Sequence, residues 1–331
     1  MAEKIRVVQY GLGPIGCLMA RHVLERQSLE LAGAVDVDPA KAGRDVGEII
    51  GLGRQLGMPV RAKLQEVLAD RKAEVVLHTT NSYFDLFKSQ IVEILKAGLD
   101  VVSTSEELSF PWIAHPEPAV EIDNAAKKAG KTVLGTGVNP GFLMDTLPLS
   151  LTGICQRVDH LEVRREQNAS KRRGPFQAKI GSGMTIEQFK AKMAEGRMGH
   201  VGLPESVGMI FHTLGKKLVH YEDSVEPVVA DRVVKTEHFE VTAGRAIGLR
   251  QTACGYSDKG EFVRLVFVAA LDHKADQDTV IVKGKPNLNL TLEGTHGDIA
   301  TIAIAVNAVR RVHEAAPGLV TMRDLPLVTI W

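Results

Sequence analysis

Cysteine is scarce. Cys17, Cys155 and Cys254 are the three in 331 residues. An odd number at wide spacing excludes a disulfide framework and offers no metal-ligand pattern. A reducing, cytoplasmic setting is therefore expected. Net charge is also missing, because forty basic residues balance forty acidic ones. That balance argues against nucleic acid or an anionic membrane as the main partner. The densest basic run, Arg164-Arg165 and then Lys171-Arg172-Arg173, is short and has no interleaved aromatics. It is not the footprint of a nucleic-acid binder. No apolar run reaches the roughly 18 residues of a membrane span. The N-terminus enters a strand-like run with no signal-segment pattern before it. No HExxH, CxxC pair or nucleophile elbow occurs, so no metal is expected. "AGKT" at 129–132 lacks the upstream glycine of a phosphate loop and lies between helix and strand, the wrong order.

What is present describes a globular chain of two domains. Hydrophobic residues make up 44% and charged residues 24%, ordinary values at a length that supports two cores. The first part alternates strand and helix: "IRVVQY", "GCLMARHVLER", "LELAGAVDV", "AEVVLHTT", "FKSQIVEILKAG", "DVVSTS", "EPAVEIDNAAKKAG", "TVLGTG". Such alternation predicts an α/β fold with a parallel sheet covered on both faces. The rhythm changes near Asn139-Pro140-Gly141. Long strand-like segments follow, "VDHLEVRREQ", "VVADRVVKTEHFEVTA", "IGLRQTACGYS" and "EFVRLVFVAAL", with helices near "TIEQFKAKMAEG" and "PESVGMIFHTLG". These predict a second, α+β domain with a mixed or antiparallel sheet. The expected division is 1–138 for a Rossmann-type domain and 139–296 for a substrate and dimerisation domain. A C-terminal helix and tail, 297–331, is expected to return to the first domain.

The glycine motif Gly11-x-Gly13-x-x-Gly16 follows the first strand and opens the first helix, the setting that a dinucleotide loop requires. Gly11 would make the turn, Gly13 would admit the pyrophosphate, and Gly16 would let helix and strand pack closely. Leu12, Pro14 and Ile15 complete the loop, and the helix N-terminus adds free N–H groups. Asp36 ends the second strand, where an acid binds the adenosine ribose. It favours NAD. Lys41 and Arg44 lie just beyond and could meet a 2′-phosphate, so NADP stays open.

Ligands in open α/β sheets bind beyond the carboxyl ends of strands. Thr80, Asn81 and Ser82 follow one strand, Glu106-Glu107 the next, and Asn139-Pro140-Gly141-Phe142 the last. Thr80, Asn81, Asn139 and Pro140 are the cofactor candidates there. Glu106 and Glu107 are the ionisable side chains of that set. A carboxylate near a nicotinamide can serve as general base or stabilise a cationic nitrogen centre. The two acids could equally start a short helix behind Ser105. Neighbours on a turn seldom both point inward, and Glu106 is preferred slightly. Phe142, Phe176 and His200 are substrate-pocket candidates, with Phe110 and Trp112 as apolar alternatives. His296 ranks with His200, and His212 is read as packing. Arg164, Arg172 and Arg173 could hold a substrate carboxylate.

Four segments carry a resemblance: "VVSTSEELSFPW", "LGTGVNPGFLMDTLPLSLTGIC", "GHVGLPESVGMI" and "HGDIATIAIAVNAV" with "EAAPGLVTMRDLP". In their order they resemble the 2,4-diaminopentanoate dehydrogenase family and the related native amine dehydrogenases. The N-terminal part is more distantly similar to dihydrodipicolinate reductase. The resemblance implies an NAD(P)-dependent homodimer that oxidises a small primary amine to a carbonyl compound with release of ammonia, or runs in reverse. It places the catalytic acid in the Glu106-Glu107 segment. That glutamate would deprotonate the substrate ammonium, stabilise the iminium and activate water. The Arg-rich "EQNASKRRGPFQAKIGSGMT" departs from what a diamine substrate would call for. No His-His pair occurs, which argues against the cyclic-imine reaction. The alternatives are a diamine or amino-acid dehydrogenase and a dinucleotide sensor without catalysis.

Overall fold

Ile5–Tyr10 forms strand β1, and its neighbours Val7 and Val8 are both fully shielded. Successive side chains of a strand point to opposite faces, so this run is covered on both. The computed structural model describes residues 4–196 and 198–331. The chain divides into two units: Met1–Phe142 with His296–Trp331, and Leu143–Thr295.

After β1, the first unit continues with α1 (Pro14–Glu25), β2 (Leu29–Val35), α2 (Val46–Ile49) and α3 (Leu64–Asp70). β3 (Val75–His78), α4 (Phe84–Lys96), β4 (Asp100–Ser103), α5 (Pro116–Ala129) and β5 (Thr132–Gly135) follow. In α4 the buried residues are Phe84, Phe87, Ile91, Ile94 and Leu95, a spacing that puts them on one face. Each such burial contributes roughly 1.5–3 kcal/mol.

The second unit carries α6 (Thr146–Thr152), β6 (Arg157–Asn168), α7 (Gly174–Lys179), α8 (Ile186–Ala194) and α9 (Leu203–Thr213). Its remaining strands are β7 (His220–Val229), β8 (Val234–Lys235), β9 (Glu240–Val241), β10 (Ala246–Ser257), β11 (Gly260–Ala270), β12 (Gln277–Lys285) and β13 (Leu288–Glu293). The six-stranded sheet runs β13-β12-β6-β11-β10-β7. β6 and β11 are parallel, and the other neighbours antiparallel, so the sheet is mixed. The sequence "VVADRVVKTEHFEVTA" reads as one long strand, and the structure corrects this. β7 ends at Val229, and the rest folds into the short β8–β9 pair. The cause is local: Thr236 Oγ1 accepts from the N–H groups of His238 and Phe239, a hydroxyl turn that competes with the ladder.

The chain then returns to the first unit with α10 (Gly297–His313) and β14 (Gly318–Val320). The first unit's sheet runs β14-β5-β4-β3-β1-β2, with every pair parallel. One face packs on α1 and α10 through Met19, Val23, Val306 and Val309. The other packs on α3, α4 and α5 through Leu64, Phe87, Ile91 and Ile122. Among the described residues no helix is long and apolar enough to cross a membrane.

Candidate active site

The carboxyl ends of β1, β3, β4 and β5 lie along one edge of the parallel sheet, and the loops that follow them carry the candidate residues. Gly11 has φ of 91°, and its N–H donates to Val35 O at 2.8 Å. A Cβ on Gly16 would lie 2.0 Å from Gly11 O, so only glycine allows this approach of helix to loop. At Gly13, in contrast, a Cβ would meet nothing within 4 Å. Gly13 caps α1 without a side-chain hydrogen bond, and Pro14 begins the helix. The first turn therefore presents N–H groups beside open space, as an anion-binding terminus requires. Ile15 is half-buried and Leu12 fully buried.

Asp36 is buried and holds the same loop. Its Oδ2 accepts from Leu12 N at 2.7 Å and from Lys41 Nζ at 3.1 Å, and its Oδ1 from Asp38 N at 2.9 Å. Burial alone would raise this carboxyl. The N–H donors of Asp38 and Leu12 and the Lys41 ammonium outweigh it and hold the group below the usual aspartate range. Arg44 is turned to Glu48 at 2.6 Å and is not on Asp36. Val37, next to the acid, is 74% exposed and offers an apolar surface there. The open space at Gly13, the uncapped helix N-terminus and the acid at the end of β2 fit a dinucleotide.

A buried polar chain ties the next two strand ends together, and the sequence reading missed it. His78 is fully shielded. Its Nδ1 lies 2.8 Å from Ser103 Oγ, and its Nε2 lies 2.8 Å from Gln90 Oε1 and 2.9 Å from Thr80 Oγ1. Ser103 Oγ is 3.0 Å from Ser105 Oγ and accepts from Ser105 N. Burial pulls the His78 imidazole down to about 4. Thr80 and Asn81 are exposed, and Asn81 Oδ1 accepts from Tyr83 N at 3.1 Å.

Glu106 and Glu107 open a turn after β4. It is closed by hydrogen bonds from Leu108 N to Ser105 O and from Ser109 N and Oγ to Glu106 O. Ser105 stands at its start without capping through its side chain. The two acids have different surroundings. Glu107 Oε2 accepts from Phe84 N at 2.6 Å, at the start of α4, and lies 3.0 Å from His115 Nε2. The His115 ring stacks on Phe84 with centroids 4.8 Å apart. Glu106 is half-buried in the same turn.

After β5, Val138 N donates to Thr301 Oγ1 of α10 at 3.2 Å. The Asn139–Pro140 peptide is cis, both residues are buried, and Phe142 is half-buried. Phe110 and Trp112 pack edge to face at 5.1 Å, Phe110 being buried. His296 caps α10, its side chain accepting from Ile299 N.

The second unit holds the other candidates. The His200 ring stacks on Phe267 at 4.9 Å, and the His200 backbone N–H donates to Gln251 Oε1 at 2.6 Å. Gln251 donates in turn to Asp223 at 3.0 Å. Arg172 lies 4.4 Å over the Phe176 ring. Arg164 is exposed and paired with Glu162, whereas Arg165 is buried. Arg165 is opposite Phe267 on β11 and Asp278 on β12. Its Nη1 is 3.5 Å from Asp278 Oδ1, and neither atom makes a hydrogen bond. Burial lowers the Arg165 guanidinium and raises the Asp278 carboxyl from their usual ranges. Period-two counting from Leu161 and Val163 would have put Arg165, and not Arg164, on the buried face. His212 is exposed near the end of α9. Among the described residues, no group of three His, Cys, Asp or Glu is placed to hold a metal.

A doubly wound parallel sheet with an open glycine loop and an acid ending its second strand defines an NAD(P)-dependent dehydrogenase. Residues 142–331 match the 2,4-diaminopentanoate dehydrogenase C-terminal domain, and residues 5–105 match the dihydrodipicolinate reductase N-terminus. The chain is 33% identical to a 2,4-diaminopentanoate dehydrogenase of Acetoanaerobium sticklandii, over 98% of its own length and 94% of that protein's. It is 25% identical to an amine dehydrogenase of Streptomyces virginiae, over 98% and 96%. The chain belongs to the 2,4-diaminopentanoate dehydrogenase family, and it is an oxidoreductase of CH–NH2 groups. In fold it is similar to the amine dehydrogenase of Mycobacterium smegmatis, with a TM-score of 0.87 at 24% identity, covering 99% and 97% of the two chains.

Proposed function

We propose that the protein catalyses the reversible oxidative deamination of a primary amine, with Glu106 as its acid–base group and ammonia as product or co-substrate. One observation carries the assignment. Glu107 is drawn to the N-terminus of α4 and to His115, and Glu106, half-buried in the turn that follows β4, is the carboxylate taken for proton transfer at that strand end. The loop Gly11–Gly16 holds the pyrophosphate, and Asp36 faces the adenosine ribose. Asn81 and Asn139 follow strands whose ends flank the nicotinamide in this class of fold.

The bound nicotinamide supplies the hydride-accepting carbon. The protein's part is to move protons and to stabilise charge. Glu106 takes a proton from the substrate ammonium and frees the nitrogen lone pair. Once it has released that proton to solvent, its carboxylate lies against the positive carbon–nitrogen centre that remains on the substrate. It then takes a proton from the water that attacks this centre and returns it to the nitrogen, which leaves as ammonia. His78, neutral because it is buried, fixes the ends of β3 and β4 from which the acidic turn springs.

Two substrate classes are compatible with this chemistry. The first is a small aliphatic amine. The second is an amine that also carries a carboxylate. A cytoplasmic location and a homodimer belong to the same proposal and rest on cysteine usage and the family resemblance. The test is reduced-cofactor oxidation with ammonia and a panel of ketones, aldehydes and oxo acids. Turnover of oxo acids above their uncharged counterparts supports the carboxylate class. Preference for the uncharged carbonyls returns the assignment to simple amines.

A further inference from the structure

Gly11 turns the glycine loop with φ of 91°, and a glycine has no side chain to hold such a turn in place. Its conformation is set by what its peptide groups bind. Gly11 N donates to Val35 O at 2.8 Å. Gly11 O accepts from Gln9 Nε2 at 3.0 Å and from Thr79 Oγ1 at 3.0 Å. The N–H of the same Gly11–Leu12 peptide donates to Asp36 Oδ2 at 2.7 Å. That peptide is therefore bound at both its oxygen and its nitrogen.

Gln9 is fully buried on β1, and its Nε2 also donates to Thr79 Oγ1 at 2.8 Å. α1 closes directly over this pair, since a Cβ on Gly16 would lie 2.6 Å from Thr79 Oγ1 and 3.0 Å from Gln9 Nε2. Gln9 Oε1, in contrast, is buried and meets no hydrogen-bond partner among the described residues. An amide oxygen left unpaired in the interior weakens the fold, and an apolar side chain of similar shape would avoid that loss. What the amide does contribute is its bond to the Gly11 carbonyl.

We propose that Gln9 and Thr79 are positioning residues for the cofactor. They lock the Gly11–Leu12 peptide, so that the glycine loop and the acid it holds, Asp36, stand ordered before a dinucleotide arrives. A loop ordered in advance loses less freedom on binding, so affinity rises with no added contact to the ligand. The inference rests on the dinucleotide reading of the glycine loop and deepens it: two side chains behind the loop set how tightly it binds.

The test is equilibrium binding of NADH and NADPH, followed by nicotinamide fluorescence without substrate, beside thermal melting of the same proteins without cofactor. Gln9→Met removes the donor and leaves Gly11 O its bond from Thr79. It is expected to melt no lower than the wild type. It is also expected to bind each dinucleotide that the wild type binds about tenfold more weakly. Thr79→Val weakens binding in the same direction, whereas Thr79→Ser, which keeps the hydroxyl, stays within roughly threefold of the wild type. Four results overturn the proposal. The first is Gln9→Met that binds as tightly as the wild type. The second is Gln9→Met that melts lower or does not fold, which would make the amide a support of the fold. The third is a loss confined to one of two dinucleotides that the wild type binds, because the loop meets the pyrophosphate common to both. The fourth is Thr79→Ser that loses as much as Thr79→Val. If neither reduced dinucleotide binds the wild-type protein, the dinucleotide reading falls as well.

Discussion

Glu107 Oε2 lies 3.0 Å from His115 Nε2 and accepts from Phe84 N at 2.6 Å, so one carboxylate joins the acidic turn, the start of α4 and the approach to α5. Its neighbour Glu106, half-buried in the same turn, is assigned the proton transfer. Paired substitutions separate the two. Glu106→Gln is expected to fold and to lose about 100-fold or more in turnover. Glu107→Gln is expected to lose roughly 1 kcal/mol of stability and to keep most of its turnover. Steady-state kinetics and thermal melting together read both effects, and the reverse pattern would exchange the roles.

The three loop glycines should fail in different ways. At Gly16 a methyl group would sit 2.0 Å from Gly11 O. Gly16→Ala should therefore cost about 1–3 kcal/mol of stability or more. At Gly13 a methyl group meets nothing in the protein. Gly13→Ala should change stability by about 1 kcal/mol or less, yet weaken dinucleotide binding about tenfold. Denaturant unfolding and a binding titration on the same two proteins would check this contrast.

The buried His78 gives the protein an acid-sensitive step. Its folded value of about 4 lies below the ordinary 6.5. Between these values the unfolded chain holds the proton and the folded chain does not, so acid favours unfolding. The stability is complete above pH 6.5 and declines as pH falls toward 4. The full span is about 3 kcal/mol. In His78→Asn the slope of stability against pH in this window should flatten. An unchanged slope would mean that other groups carry it.

Arg165 and Asp278 are buried together in the second unit's sheet, 3.5 Å apart. Arg165→Met leaves the Asp278 carboxylate buried without its cation and is expected to cost about 3–5 kcal/mol of stability. Adding Asp278→Asn should recover part of that loss in denaturant unfolding, and no recovery would contradict the pairing.

The fold class was legible because its signals are periodic and local. Apolar runs such as "IRVVQY" alternate with helical spacing such as that of α4, and a glycine loop joins the first pair. β14 was not legible: three residues, Gly318–Val320, are too short for a pattern and are a strand through pairing with β5. The division of "VVADRVVKTEHFEVTA" was missed because a Thr236 hydroxyl turn outweighs apolar content. In the candidate site, the position of Asp36 and the proximity of Lys41 could be read from spacing after β2. Which acid of the Glu106-Glu107 pair is tied down could not, because Phe84 and His115 reach Glu107 from elsewhere in the chain. His78 carries no motif, and its partners Ser103 and Gln90 become neighbours only through strand pairing and the course of α4.

The central claim is amine chemistry carried out by Glu106, and one assay tests it most directly. Wild-type and Glu106→Gln protein would each be mixed with a carbonyl panel and NADH or NADPH, with and without concentrated ammonia, and reduced-cofactor absorbance followed. The account predicts loss of absorbance that requires both carbonyl and ammonia and nearly disappears in Glu106→Gln. Loss that proceeds equally without ammonia, or persists in full in the variant, would contradict it.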